Sequence, residues 1–423
     1  MDQFNYINDL LSVENLSIQH LANTFETPFY VYSHQQISHN YTKLDTVLSN
    51  LNAQICYAVK ANSNQAILAQ LAAMGSGADV VSEGELKRAL KAGIPANKIV
   101  FSGVGKTTQE ISFALKTGIF QFNVESESEL KHISELCEQL DTTAKVAIRI
   151  NPDISADTNE KISTGKAENK FGIDHSKTLA IYHYAASLPG IIVQGIDVHI
   201  GSQINDLAPY EATFKRVSDL VLLLKHAGHN IEVVDIGGGM GVTYNPKTDK
   251  QYDLQHYGDL VRRYIAPLNC KIIIEPGRSI VANAGVLVTK INYLKTTPTK
   301  AFLILDAGMN DFARPSLYEA YHQILPIKHT TDAESIYDIV GPVCETGDTF
   351  AKSRTMPTVE QGDYLVIKDT GAYGAVMSST YNTRPLIREV LVKGQDFATI
   401  RAPQSFEELI DKDIIPQWDD GQK

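Results

Sequence analysis

The chain has 423 residues, 43% hydrophobic and 21% charged, with a formal net charge of −11, enough apolar sequence for one large domain and a smaller one and too much for a disordered chain. The acidic balance, with Lys and Arg scattered, argues against a nucleic-acid partner, because displacing counterions from a phosphate backbone needs clustered cations. Four widely spaced cysteines, Cys56, Cys137, Cys270 and Cys344, form no Cys-x-x-Cys pair and have no histidine at metal-ligand spacing, so reduced thiols, no metal and a cytoplasmic setting are expected.

The first thirty residues carry Asp2, Asp9, Glu14 and Glu26 instead of a basic segment followed by an apolar one, so no secretory signal is expected. The longest apolar runs, such as Leu220 to Leu224, are too short to span a bilayer. From about residue 28 to 282, short β-branched runs alternate with longer amphipathic stretches, the pattern of repeated βα units. The predicted strands are 55–59, 78–81, 99–101, 120–124, 146–150, 196–200, 233–236 and 272–274. Between them lie predicted helices over 65–74, 83–92, 110–116, 127–140, 210–226 and 254–268, several ending at a glycine such as Gly75, Gly93 or Gly118, as helix C-termini prefer. Roughly eight such strands over about 250 residues predict a (β/α)8 barrel, an α/β fold of the TIM type.

Beyond residue 283 the helical period fades and β-rich runs follow over 286–294, 301–305, 336–343, 364–367 and 387–392, predicting a second, mainly β domain. The proline of Arg314-Pro315 suits the start of one short helix inside it. Residues 1–27 precede the barrel and are assigned with 283–423 to the β-rich domain.

Barrel enzymes place their chemistry at the C-terminal ends of their strands. After the first strand comes Tyr57-Ala-Val-Lys60-Ala-Asn62, where a lysine stands ready to form an imine with a carbonyl compound, its pKa depressed by partial burial. The sixth strand ends in Asp197-Val-His199-Ile-Gly-Ser202, with an imidazole able to stack on a flat cofactor or move protons. After the seventh and eighth strands come Asp235-Ile-Gly-Gly238-Gly239-Met-Gly241 and Glu275-Pro-Gly277-Arg278, turns whose backbone amides can approach an anion closely. A carboxylate placed like Glu275 can keep a pyridine nitrogen protonated. Taken singly, each residue has a bland reading: a strand-end lysine with its head in solvent, a tight turn, a surface carboxylate, a structural histidine, or, for Cys344, a small buried hydrophobe.

Taken in order, these motifs, with Cys344-Glu345-Thr-Gly-Asp348, resemble those of the fold-type III pyridoxal-phosphate decarboxylases, over almost the whole chain. The resemblance implies an alanine-racemase-like barrel, a C-terminal β domain that completes the active site and the dimer interface, and a homodimer with shared sites. It implies pyridoxal 5'-phosphate as cofactor, Lys60 as the Schiff-base lysine, His199 stacked on the ring and Glu275 paired with the ring nitrogen. Gly238, Gly239, Ser202 and the turn with Gly277 and Arg278 would hold the phosphate, with Tyr373 near cofactor and substrate. Cys344 and Glu345 resemble residues that reach into the neighbouring subunit's site, the thiol giving a proton after carbon dioxide leaves.

Substrate choice turns on the far end of the amino acid, where a carboxylate calls for a guanidinium fork. Arg278, Arg314 and Tyr318 match the branch of that family specific for diaminopimelate, as do Ile162-Ser-Thr-Gly165 and Lys170-Phe-Gly172; Glu345 would take the distal ammonium. That branch makes L-lysine from meso-diaminopimelate, the final step of lysine biosynthesis. The rivals are an ornithine, arginine or carboxynorspermidine-type decarboxylase, an amino-acid racemase, and a non-catalytic relative that binds a protein. Asp79 and Arg149 receive no role.

Overall fold

The computed structural model describes residues 2–155, 170–329 and 333–418. They divide into two compact units, one of the described residues within 34–284 and 371–376, the other of those within 2–33, 285–370 and 377–418.

The first unit is a closed parallel barrel of eight strands, β1 (Ala53–Ala58), β2 (Gly77–Val80), β3 (Ile99–Phe101), β4 (Gln121–Val124), β5 (Ala144–Asn151), β6 (Ile191–Asp197), β7 (Val233–Asp235) and β8 (Lys271–Ile274). Each pairs in parallel with its neighbours and β8 pairs with β1, closing the ring and leaving no edge. A barrel strand covered on both faces reads as a near-continuous apolar run, which is why Ile272, Ile273 and Ile274 are all buried. Cys56, Val100, Val233 and Ile273, from four different strands, pack together in one apolar cluster.

The intervening helices start and stop where their end groups are satisfied. Ser82, Thr107 and Ser126 each accept the amide three residues on, and Thr107 with Glu110 completes a capping box, which satisfies donors that the first turn leaves open. Gly118 ends its helix at φ +70°, a left-handed conformation natural to glycine. Two helices that the sequence pattern does not single out, His34–Leu48 and Thr178–Ser187, complete the outer layer.

The second unit is built on a mixed sheet in the order Thr349–Pro357, Glu334–Val340, Ala301–Leu305, Gly285–Thr296, Phe29–Ser33, Arg388–Lys393, Asp396–Arg401, with Tyr364–Ile367 also pairing to Gly285–Thr296. Its core gathers Phe4, Leu11, Leu21, Phe29, Val31, Val286, Val288, Val366 and Val390.

The expected boundaries shift. Phe29–Ser33, assigned above to the barrel, is fully buried between Gly285–Thr296, antiparallel, and Arg388–Lys393, parallel. Its alternate partners lie far along the chain, so local pattern cannot assign it. The barrel unit instead begins at His34 and gains residues 371–376. The N-terminal hairpin, Phe4–Ile7 with Leu10–Val13, belongs to the β unit.

Candidate active site

At the mouth of the barrel, Lys60 sits in a single 3-10 turn, Val59–Ala61, that continues β1. The turn is tied from two directions: the Tyr373 amide donates to the Ala61 carbonyl at 2.8 Å, and the Ala58 amide donates to the Pro276 carbonyl at 2.9 Å. The Lys60 ammonium lies 2.6 Å from an Asp79 carboxylate oxygen contributed by β2. This corrects the expected direction of its pKa. Burial pulls it down, but the carboxylates of Asp79 and Glu275 outweigh burial and raise it above the ordinary lysine value.

Behind Lys60, carboxylate oxygens of Asp197, Asp235 and Glu275 converge within 4.8 Å of one another, all buried. Glu275 accepts from the Ser102 hydroxyl at 3.3 Å and the Asn123 amide at 3.1 Å. Asp235 accepts from the same Asn123 group at 3.1 Å and from the Gly237 amide at 3.0 Å. Desolvation first, then mutual repulsion, pushes the Glu275 and Asp197 carboxyls well above the usual carboxylate range. Such a cluster holds extra protons or attracts a further cation. Arg149 on β5 supplies one buried charge, 2.8 Å from Glu125 and 3.8 Å from Asp197.

His199, two residues beyond β6, accepts the Gly238 amide on Nδ1 at 3.2 Å. Burial, then the charges of Arg149 and Lys60, holds its pKa well below the ordinary histidine value; a neutral ring has the lone pair that this bond requires. The Gly238 amide is thus used by His199. What Gly238 adds is close approach, since a Cβ there would stand 2.1 Å from the Glu275 carbonyl oxygen. At Gly239, with φ +90°, a Cβ would stand 2.4 Å from the Gly201 carbonyl oxygen, and at Gly277 2.9 Å from Ala61.

Next to these turns the buried Arg278 guanidinium is held by Tyr244 (2.7 Å to its hydroxyl) and Ser202 (3.1 Å) and lies 4.8 Å from the Tyr373 ring centroid. Tyr373 itself has φ +55°. Lys60, His199, Ser202, Gly238, Gly239, Glu275, Gly277, Arg278 and Tyr373 are therefore all brought together in the barrel unit.

The donor set fits pyridoxal phosphate. Close-packed glycine turns beside a hydroxyl and a guanidinium suit a phosphate. A carboxylate-rich interior that calls for one more positive charge suits a protonated ring nitrogen, and a lysine amine suits an aldehyde.

In the β unit, Arg314 and Tyr318 stand one turn apart on the helix Arg314–Tyr318, the buried guanidinium 6.0 Å from the Tyr318 ring centroid. Arg314 also donates to His322 at 3.3 Å. The turn Cys344 to Asp348 is folded by Asp348, which accepts the Val343 and Met309 amides at 2.7 Å each. Ser316 donates to the Gly347 carbonyl at 2.7 Å, so the Arg314 helix and the Cys344 turn lie side by side. Cys344 is exposed, and Glu345 accepts from the Tyr381 hydroxyl.

Asp79, Asn123 and Arg149 are site residues that the sequence reading leaves without a role. Their signal is a polar residue at an interior position of a barrel strand, as Asn123 in Phe120-Gln-Phe-Asn-Val124. Ile162 to Gly165 lies outside the described residues. Of the companion motif, Phe171 lies under the Arg149 guanidinium at 4.9 Å and the Gly172 amide donates to Glu125 at 2.8 Å.

Residues 34–282 match the pyridoxal-dependent decarboxylase, pyridoxal-binding domain, and the chain belongs to the pyridoxal-dependent decarboxylases. Within that class it is similar to a diaminopimelate decarboxylase of Zymomonas mobilis, 47% identical over 99% of this chain and 100% of the relative. Among solved structures it resembles diaminopimelate decarboxylase from Helicobacter pylori complexed with L-lysine, with TM-score 0.90 and 42% identity over 94% of this chain and 99% of that one. It also resembles the M. jannaschii enzyme in co-complex with L-lysine, with TM-score 0.93 and 39% identity over 98% of both chains.

Proposed function

We propose that this chain decarboxylates meso-2,6-diaminopimelate at its D-centre to give L-lysine and carbon dioxide, the final step of lysine biosynthesis, with pyridoxal 5'-phosphate as cofactor. The observation that carries the reading is the barrel mouth, where Lys60, His199, Glu275 and Arg278 converge, in a chain similar over its full length to diaminopimelate decarboxylases.

When bound, the cofactor supplies an electron sink for the electrons of the bond to the departing carboxylate. Lys60 would hold the cofactor through its aldehyde. Glu275, fixed by Ser102 and Asn123, would pair with the ring nitrogen and favour its protonated form. His199, kept neutral by burial and Arg149, would be the residue to pack on the ring. Ser202, Arg278 and the turns of Gly238, Gly239 and Gly277 receive the phosphate, with Tyr373 over Arg278.

Arg314, Tyr318 and Arg278 are assigned to the distal carboxylate and Glu345 to the distal ammonium, so that opposite charges read the L-centre and leave the D-carbon as the reacting one. Two copies associate, Cys344 and Glu345 of each serving the other's site, and the Cys344 thiol returns a proton to the α-carbon. Four free thiols suit a reducing cytoplasm. Among the described residues no helix is long and apolar enough to cross a membrane.

The test is carbon dioxide release and product chirality with meso-diaminopimelate, set beside ornithine, arginine and lysine. Stoichiometric L-lysine from diaminopimelate alone is expected; activity only on another amino acid would overturn the roles of Arg314 and Glu345. Lys60→Ala is expected to abolish turnover, and Arg314→Ala to weaken diaminopimelate binding with the cofactor retained. Equal loss of cofactor in both variants would contradict the assignment.

A further inference from the structure

Below the carboxylate cluster, three buried amides continue a line of hydrogen bonds into the barrel. Gln121 and Asn123 are two residues apart on β4, so their side chains share a face, and Gln194 comes from β6. Alternate strands of such a barrel contribute to one interior layer. Gln194 Nε2 donates to Gln121 Oε1 at 3.0 Å and to the Phe120 carbonyl at 3.4 Å. Gln121 Nε2 donates to Asn123 Oδ1 at 2.8 Å. Asn123 Nδ2 then donates to Glu275, Asp235 and Ser102, each at 3.1 Å.

The direction of this chain follows from its upper end. Glu275 and Asp235 each turn toward Asn123 a carboxyl oxygen that accepts, so Asn123 faces both with its NH2. Its oxygen then faces Gln121, which must donate, and the Gln121 oxygen in turn requires a donor from Gln194. Amides this deeply buried are costly unless bonded, and the apolar cluster of Cys56, Val100, Val233 and Ile273 shows that other strands fill the interior without them. Packing alone therefore does not call for Gln121 and Gln194.

We infer that Gln121 and Gln194 are positioning residues, a one-way amide relay that keeps the Asn123 NH2 turned toward Glu275 and so fixes that carboxylate for the cofactor's ring nitrogen. Neither glutamine is among the residues assigned above to cofactor or substrate. Without the relay Asn123 can turn its oxygen to Glu275, whose carboxyl then donates its own proton to that oxygen and keeps it from the ring nitrogen. The inference rests on the function proposed above.

The experiment compares the parent holoenzyme with Gln121→Met and Gln194→Met, each loaded with pyridoxal phosphate labelled with 15N in the ring. Gln121→Met is expected to move the ring-nitrogen resonance toward that of unprotonated pyridine. It should also lower kcat by about tenfold at an unchanged KM for diaminopimelate. Gln194→Met, one bond further from the site, is expected to act in the same direction with a smaller change. A merely structural role would lower thermal stability and leave the resonance in place, which would overturn the inference. Should Gln121→Met fail to fold, the resonance in Gln194→Met decides alone. A parent protein that takes up no pyridoxal phosphate would sink the underlying function and the relay with it. A parent that binds and turns over, with both variants matching it, would sink the relay alone.

Discussion

The buried pair of Arg149 and Glu125 offers a quantitative test of how the barrel mouth is held. Their side chains are 8% and 3% exposed, with N–O contact at 2.8 Å. Arg149→Met keeps much of the volume and strands Glu125, whose other carboxylate oxygen accepts the Gly172 amide at 2.8 Å. Removing one member of such a pair costs about 3–5 kcal/mol, because a charge stays buried without its counterpart. The surviving Gly172 bond places the loss near the lower end, roughly 3 kcal/mol. Glu125→Gln leaves Arg149 with the His199 carbonyl at 3.4 Å, and a similar loss is expected. The double variant strands neither charge, so its loss should fall short of the sum by about 2 kcal/mol. Urea unfolding followed by far-ultraviolet circular dichroism measures all three. The single tryptophan, Trp418, is 81% exposed, and its fluorescence would not follow the barrel. Single losses that add to within about 0.5 kcal/mol would show the pair to be uncoupled and refute the reasoning.

Gly238→Ala places a methyl group 2.1 Å from the Glu275 carbonyl oxygen; a displacement costing about 1–3 kcal/mol is expected to weaken pyridoxal-phosphate binding in equilibrium dialysis, and parental affinity would count against the glycine cradle. Burial, then Asp235, raises the Asp197 carboxyl, so the folded chain keeps a proton that the unfolded chain releases near pH 4, and stability is lost as pH rises from there toward the folded value. Asp197→Asn cannot ionise, so its stability relative to the parent should improve with rising pH, by at most about 1.4 kcal/mol per unit; urea midpoints from pH 5 to 8 that keep a constant offset would oppose this. Cys56, Cys137 and Cys270 are buried and Cys344 is exposed, so a thiol reagent should modify Cys344 first, and diaminopimelate should slow that reaction in the loaded enzyme. Mapping of a different cysteine as the fast one, or no protection, would argue against Cys344 at the site.

Much of the barrel was legible because its strands are covered on both faces. A run such as Ile272-Ile-Ile274 has no solvent face and announces itself by composition. Phe29–Ser33 has the same β-rich character but pairs with Gly285–Thr296 and Arg388–Lys393, partners that no local window contains. The site divides in the same way. Lys60, His199 and Glu275 stand at strand ends, where their type and place suggest their chemistry. The protonation of Lys60 is not legible in its own segment because Asp79, on the next strand, raises it. Asn123 was legible only as a polar residue at an interior position, and its three acceptors come from three other elements.

The placement of Tyr373 has a consequence for synthesis. Residues 371–376 belong to the barrel unit although the rest of that unit ends at Ala284, and within it the Tyr373 amide bonds the turn that carries Lys60. A nascent chain that has just emerged through β8 can close its ring of strands, yet it lacks the piece that braces the lysine turn. At about 5–20 residues per second, that piece arrives several seconds later. The reactive amine is thus braced only after most of the polypeptide has been made, and a fragment ending at residue 284 is expected to form a barrel whose lysine turn remains loosely held.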